Sequence, residues 1–304
     1  MPRFSIILPC HNAAATILET IQSLVAQTFE DWEVLVVDDG STDDTAAIVM
    51  RTTYLDSRIR LIGHSGTGPS AARNAGAAMA RGEVLCFCDA DDRWRNTKLA
   101  CLDEVFEDEY VDAAFGRVAF FDGARTRALS APFKGTLSID MLLGENPVCT
   151  LSNVAVRRNV FEDSCGFDTR LVQNEDLEWL IRVVGIGYRV IGVDRVLVDY
   201  RTSANGLSSN LADLREGRRA ALRTAARFGH PGSARHEAIY LRFLARRALR
   251  VGAPSAEAIR LAFAGCRISP RGWFSDVRRG ALTLGAAVTA PILPSGLRRA
   301  LFAC

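Results

Sequence analysis

An α/β fold is expected from this 304-residue sequence, on three observations. Apolar runs without polar alternation recur at 4–8, 34–37, 59–62 and 84–88; such runs suit strands buried on both faces of a parallel sheet. Segments with helical patterning fall between them, at about 14–27, 43–54 and 69–80, each long enough for a crossover connection. The residues that follow the runs include Asp38-Asp39-Gly40-Ser41 and Asp89-Ala90-Asp91-Asp92. Open parallel sheets bind ligands beyond such strand ends.

The first run ends at Pro9, with Cys10-His11-Asn12 after it and no glycine. Ser41 and Thr42 precede Asp43 and Asp44, which favour a first helical turn, so the second helix starts near there. Pro69 after Gly68 marks the mouth of the third helix, because proline fits the first helical position. Beyond residue 110 the pattern becomes mixed, with strands at 113–121, 151–156, 188–193 and 196–200 and a helix at about 175–185. From about residue 211 alanine, leucine and arginine dominate, a helix-favouring composition. The expected division is an α/β domain at 1–205 and a basic, mainly helical C-terminal region at 206–304.

Hydrophobic residues make up 48% and charged residues 24%, which supports one sizeable core and a globular chain. The formal net charge of +2 hides an asymmetry. Residues 1–210 hold 20 Lys and Arg against 30 Asp and Glu, whereas residues 211–304 hold 17, all Arg, against 5. The two parts therefore face different partners. Eight cysteines are spread along the chain without the paired Cys-x-x-Cys sets of a zinc site, so reduced, mostly buried thiols in a cytoplasmic protein are expected. The run at 4–8 has no basic leader and is too short for a signal sequence, so export is not expected.

Chemistry concentrates at the strand ends. Asp89-Ala90-Asp91-Asp92 leaves the sheet where ligand and water begin. Neighbouring carboxylates repel, and a divalent cation beside phosphate oxygens holds them together; a solvated acidic turn capping a helix is the other reading. Asp38-Asp39-Gly40-Ser41 offers carboxylates to a base N–H or ribose hydroxyls, or to a helix N-terminus. In Ser70-Ala71-Ala72-Arg73-Asn74-Ala75-Gly76 the small residues permit close approach, and Arg73 can reach a nucleotide phosphate or stay solvated. Glu175-Asp176-Leu177-Glu178 opens a helix with acids that suit its positive end, and one of them can act as general base toward a hydroxyl.

In this order the motifs resemble family 2 glycosyltransferases of the GT-A fold. The resemblance is carried by Ser5-Ile6-Ile7-Leu8-Pro9-Cys10-His11-Asn12, Gln27-Thr28-Phe29, Val36-Val37-Asp38-Asp39-Gly40-Ser41-Thr42-Asp43, Ala72-Arg73-Asn74-Ala75-Gly76, Arg81-Gly82-Glu83 with Asp89-Ala90-Asp91-Asp92, and Gly166-Phe167-Asp168 with Glu175-Asp176. It covers roughly the first 205 residues. The resemblance implies a Rossmann-like three-layer sandwich with a mostly parallel central sheet. It also implies an inverting enzyme that moves a sugar from a nucleotide diphosphate, commonly UDP, to an acceptor hydroxyl in polysaccharide, cell-surface glycan or glycolipid biosynthesis. By the same resemblance Pro9, His11, Asp38, Asp39, Arg73, Asp89 and Ala90 line the nucleotide pocket, and Asp91 binds Mn2+ or Mg2+ bridging the diphosphate. Asp176 is then the general base, with Gly166 and Glu175 near the donor sugar or acceptor. The chain departs from the family pattern twice. The usual paired glycine before Phe-Asp is reduced to Cys165-Gly166, and Tyr200-Arg201-Thr202-Ser203-Ala204 lacks the histidine found there in many relatives.

Two other readings compete. Gly66-Thr67-Gly68-Pro69-Ser70-Ala71 matches the dinucleotide pattern of an oxidoreductase, but it follows the third strand, not the first. A non-catalytic sugar-nucleotide-binding protein can share the fold. In the C-terminal region Arg242, Arg246 and Arg250 recur on one helical face, and residues 280–297 are uncharged between Arg278-Arg279 and Arg298-Arg299, with Pro291 and Pro294 inside. The arginine face describes an amphipathic helix that either packs as a surface helix on the enzyme domain or meets an anionic membrane, and the 280–297 stretch favours peripheral contact with the inner face of the membrane over a spanning helix; nucleic acid lacks a binding motif here.

Overall fold

The computed structural model describes residues 1–202 and 211–293, which cluster into two compact units. One comprises Met1–Leu137 and Val148–Arg201, the other Ser138–Pro147 and Thr202–Cys304.

In the first unit β1 (Phe4–Cys10), β2 (Trp32–Asp38), β3 (Ile59–Gly63) and β4 (Val84–Phe87) run parallel in the order β3-β2-β1-β4. β1 is buried along its whole length, as a run without polar alternation requires. The crossovers are α1 (Ile17–Val25), α2 (Thr45–Leu55) and α3 (Pro69–Met79), so the expected strands and helices are present with small shifts at their ends. Gly76 lets α3 press onto the sheet, because a Cβ there would stand 2.7 Å from Ile7 Cγ2 and 3.0 Å from Val37 Cγ2.

Past β4 the sheet becomes mixed. β9 (Val154–Arg157) is antiparallel to β4 and to β6 (Ala113–Phe121), and β10 (Val190–Arg201) is parallel to β6. The short β5 (Arg93–Trp94) and β8 (Gly135–Thr136) pair with β10, and β7 (Thr126–Leu129) pairs with β6. Helices α4 (Lys98–Phe106), α6 (Arg158–Asp163) and α7 (Glu175–Ile186) belong to this unit, while α5 (Ile139–Gly144) belongs to the other.

Two sequence expectations are corrected here. The strand expected at 151–156 opens as a 3-10 turn, Leu151–Asn153, because Thr150 Oγ1 accepts from Ser152 N–H and the Asn153 side chain bonds the Gly116 and Val148 backbone. The two strands expected at 188–193 and 196–200 are one, β10, whose register shifts between Gly192 and Val198 accommodate the exposed Asp194 and Arg195.

Under the ends of β4 and α7, the rings of Phe87, Phe161, Phe167 and Trp179 pack mutually with centroids 5.1–6.4 Å apart. Each contact is worth about 0.5–1.5 kcal/mol beyond area burial. Trp179 Nε1 also donates to Ser164 Oγ, which fixes the start of α7 against the sheet.

The second unit adds α8 (Leu211–Arg227), α9 (Ala234–Arg250), α10 (Ser255–Ile268), α11 (Pro270–Trp273) and α12 (Val277–Thr289), around a core that includes Leu241, Leu244, Leu261 and Trp273. The arginine stripe expected at Arg242, Arg246 and Arg250 does not form an outward face. Arg242 is 3% exposed, and both it and Arg246 turn toward Glu145. Residues 203–210 and 294–304 lie outside the described residues, and with them Ser203, Ala204, Pro294, Arg298, Arg299 and the end of the 280–297 stretch. Among the described residues no helix is long and apolar enough to cross a membrane. Cys10, Cys86, Cys88 and Cys101 are buried, whereas Cys149 and Cys165 are exposed.

Candidate active site

The residues singled out in the sequence gather in the first unit, at the carboxyl ends of β1, β2 and β4 and the first turns of α3 and α7. Register alone brings the first group together, since Pro9 lies opposite Val37 and Cys10 opposite Asp38. His11 Nδ1 stands 3.0 Å from the Asp39 carbonyl oxygen, which only accepts, so Nδ1 is the donor. Asp38 Oδ1 accepts from Ser41 N–H at 3.2 Å.

Asp39 is 6% exposed and engaged within the chain. Its Oδ1 accepts from His64 Nδ1 at 2.5 Å and Thr67 N–H at 3.1 Å, and its Oδ2 from Gly68 N–H at 2.7 Å. Burial opposes ionisation, but hydrogen bonds from His64, Gly68 and Thr67 outweigh it and hold the acid below the ordinary carboxylate range. Gly66 and Gly68, with φ of +75° and +100°, allow the turn to wrap the carboxylate. The dinucleotide-like glycines thus organise a carboxylate in this chain.

The second group is gathered by Arg73, which is 6% exposed on α3. Its Nη2 donates to Asp89 Oδ1 at 2.6 Å and its Nη1 to Glu175 Oε1 at 2.9 Å. One guanidinium therefore ties the acidic turn after β4 to the first residue of α7. Asp89 is held further by its N–H to Ser152 Oγ at 2.9 Å and by Thr150 Oγ1 to its Oδ2 at 3.4 Å. Beside Arg73, Asn74 donates from Nδ2 to Phe167 O at 2.8 Å and accepts Phe167 N–H at Oδ1 at 2.9 Å. Gly166 permits this approach, because a Cβ there would stand 2.7 Å from Asn74 Oδ1.

Burial, then the charge of Glu175, pushes Asp176 up to about 7. Glu175 is itself raised by burial, with Arg73 opposing. Asp91 is pushed up to about 6 by burial and then by Asp89. Asp92 differs in kind: it is fully buried, its Oδ1 accepts from Arg201 N–H at 2.9 Å, and it fastens the end of β10 under the turn. Ala90, between the acids, accepts from Thr20 Oγ1 at 3.0 Å through its carbonyl.

Among the described residues no three His, Cys, Asp or Glu side chains converge on one metal position. The donor set fits a different arrangement. Asp39, Asp89 and Glu175 are bonded to His64, Arg73 and backbone groups, whereas no side chain among the described residues donates to the Asp91 carboxylate, and Arg201 Nε bonds only the Asp91 carbonyl at 2.8 Å. A hard cation with one protein carboxylate, completed by substrate phosphates and water, suits such a residue.

Two supporting residues were not singled out in the sequence. Lys98, the first residue of α4, is wholly buried; its Nζ donates to Ser152 O at 2.5 Å and lies 3.7 Å from the Trp94 ring centroid. Burial pulls it down to about 8. Lys98 thus supports the turn whose Ser152 hydroxyl holds Asp89. Arg201, in the segment that lacks the histidine, clamps Asp91 and Asp92 and pairs with Glu19. A lone Lys and a lone Arg carry no hydropathy signal that would separate them from surface residues.

Residues 5–165 match the model of the glycosyl transferase family 2. Over 213 residues the chain is 27% identical to the putative teichuronic acid biosynthesis glycosyltransferase TuaG of Bacillus subtilis, covering 69% of this chain and 82% of TuaG. Of another relative, 34% identical, the chain spans about half the length, 52%. In fold it is similar to S. aureus TarS 1–349 in complex with UDP-GlcNAc, with a TM-score of 0.62, 17% identity, and coverage of 95% of this chain and 92% of that one. It is also similar to the mannosyltransferase PcManGT from Pyrobaculum calidifontis in complex with GDP-Man and Mn2+, with a TM-score of 0.55, 20% identity, and coverage of 99% and 79%. At these identities the structural likeness is one of fold, the GT-A fold, and the family rests on the sequence match. Because that match runs from the first strand to the residue before Gly166, more than half of the chain, the protein belongs to glycosyl transferase family 2 and is a glycosyltransferase.

Proposed function

We propose that the chain is an inverting glycosyltransferase that transfers a sugar from a nucleotide diphosphate donor, a UDP-sugar, to a hydroxyl of a glycan or lipid-linked acceptor. The observation that carries this reading is the Arg73 bridge, which sets Asp89 beside Glu175 and so unites the donor-side acids with the start of α7. The UDP-GlcNAc bound by TarS supports the donor class, and the Mn2+ bound with GDP-Man by PcManGT supports a divalent metal. The activity is assigned to 1–205, with 206–304 as an accessory region that contacts the inner face of the cytoplasmic membrane. The product belongs to a polysaccharide, cell-surface glycan or glycolipid.

Pro9, His11, Asp38, Asp39 and Ala90 form the base and ribose side of the pocket, and Asp89 faces the nucleoside. Asp91 would hold Mn2+ or Mg2+, which supplies positive charge against the departing diphosphate. Arg73 works through the acids it bridges, countering their charge and fixing their spacing. Asp176 takes the proton of the acceptor hydroxyl as that oxygen attacks the anomeric carbon; the bond to the diphosphate oxygen breaks on the opposite face, and the configuration inverts. A carboxylate raised toward neutrality is a stronger base than an ordinary one, and Asp176, at about 7, is suited to that step. Gly166 and Glu175 border the sugar and acceptor side.

The test is a pair of variants assayed for donor hydrolysis and transfer with Mn2+ or Mg2+. Asp176→Asn is expected to slow transfer by roughly 10²- to 10⁴-fold with donor binding intact, and Asp91→Ala to abolish metal-dependent turnover. Near-parental turnover by Asp176→Asn would remove it as the base.

A further inference from the structure

The outward arc of α12 is apolar. A surface helix normally turns polar residues to water, yet here the buried side is formed by Gly280, Thr283 and Ala287, and the exposed side carries Val277, Leu282 and Val288. Their exposures are 69%, 64% and 46%, and Ile292, just past the helix end, is 82% exposed. Arg278 lies on the same arc, exposed, and forms no ion pair among the described residues.

A second observation concerns charge in the same unit. Arg279 of α12 joins Arg242 and Arg246 of α9 around one carboxylate, Glu145, at 3.5, 3.7 and 2.7 Å. Asp276, the N-cap of α12, is the only other acid of the cluster among the described residues, and its side chain accepts Arg279 N–H and pairs with the Arg279 guanidinium. Three arginines thus share two carboxylates, and Arg278 stands outside the cluster. The Nε groups of Arg242 and Arg246 have no acceptor among the described residues, and Arg242 is 3% exposed. The cluster therefore carries more guanidinium groups than carboxylates.

We infer that α12 is a docking face for an anionic lipid surface, with its apolar arc in the boundary between headgroups and acyl chains and with Arg278 on lipid phosphates. This rests on the membrane contact in the reading above and names the helix that makes it. An apolar arc flanked by arginine is the pattern of a helix lying in a membrane interface. A second copy of the chain would set the exposed Arg278 against its own counterpart, whereas anionic headgroups supply the charge partner that Arg278 lacks among the described residues. The apolar arc in turn offers nothing to a nucleic-acid backbone. α9 does not serve as the contact helix, because its arginines at 242 and 246 point inward.

The experiment is co-sedimentation of the full chain with vesicles of neutral phosphatidylcholine, with and without anionic phosphatidylglycerol, with donor hydrolysis measured on the same samples. Binding is expected only to the anionic vesicles and to weaken as salt is raised. The double variant Leu282→Asp, Val288→Asp should lose at least about tenfold in partitioning, and Arg278→Ala about fivefold. All should hydrolyse donor as the parent does, since none of these side chains belongs to the catalytic unit. Equal binding to neutral vesicles, or binding indifferent to the α12 variants, overturns the inference. So does self-association abolished by Leu282→Asp without lipid binding, which would assign the face to a second copy. Inorganic phosphate is the control for a soluble anion, and stabilisation by phosphate without vesicle binding also overturns it. Loss of donor hydrolysis by the parent would instead count against the enzymatic reading and leave the vesicle result standing.

Discussion

Replacing Arg73 with glutamine should show how much of the site hangs on one side chain. Arg73 makes charge-assisted bonds of 2.6 and 2.9 Å from a position 6% exposed. Removing one member of a buried ion pair costs about 3–5 kcal/mol, because the partner is left desolvated. The lower end is expected, since Asp89 keeps its bonds to Ser152 and Thr150. For a unit of this size each kcal/mol lowers the thermal midpoint by about 2–4 °C, so a fall of about 6–12 °C is expected near pH 8. The loss should shrink under acid conditions, where Glu175 and Asp176, both already raised, take up protons and no longer need the guanidinium. Arg73 also pulls Asp176 down, so the acidic limb of the transfer rate should move above the parental value of about 7. Thermal melts at about pH 5 and 8 and a pH–rate profile measure both effects. A midpoint shift below about 2 °C at the higher pH, or an unmoved limb, would refute the bridge as the organiser of the site.

Three further outcomes follow from the same geometry. Asp176 is raised from the ordinary 3.8 to about 7, so its share of stability is complete at low pH and is lost as pH rises through 7; melts of Asp176→Asn should match the parent near pH 4 and exceed it near pH 8. Protons compete with metal at Asp91, so Mn2+ affinity in the presence of UDP, followed by calorimetry, should fall as pH drops through about 6, and retained affinity below that value would exclude Asp91 as ligand. Lys98→Met strands the Ser152 carbonyl in the core, for a cost of about 1–3 kcal/mol, and loosens the turn that holds Asp89; nucleotide affinity should fall along with the thermal midpoint, and unchanged affinity would limit Lys98 to a structural role.

The parallel half of the fold was legible because its signals are local. Runs such as Phe4-Ser5-Ile6-Ile7-Leu8 and Val34-Leu35-Val36-Val37 have one solution when both faces are buried, and Gly68-Pro69 fixes where α3 begins. The mixed half was read less well. The start of β9 was displaced by side-chain bonds from Thr150 and Asn153, and β10 bridges a polar pair that reads as a break between strands. Acids at strand ends announced the site, but their partners did not. Nothing in the sequence around Arg73 says that it reaches Glu175 across 102 positions, and Lys98 reads as a surface lysine until its burial is seen. The arginines of α9 obeyed helical periodicity, yet Glu145, contributed by a distant segment, turned two of them inward.

The shared guanidinium of Arg73 also bears on how such an enzyme can diverge. On the proposed assignment of Asp89 to the nucleoside and Glu175 to the acceptor side, substitutions at position 175 that suit a new acceptor also redistribute the field felt by Asp89, and changes at position 89 that suit a new base return to the first turn of α7. The two specificities are yoked, and descendants that change partner should carry paired substitutions at 89 and 175, or exchange the arginine itself.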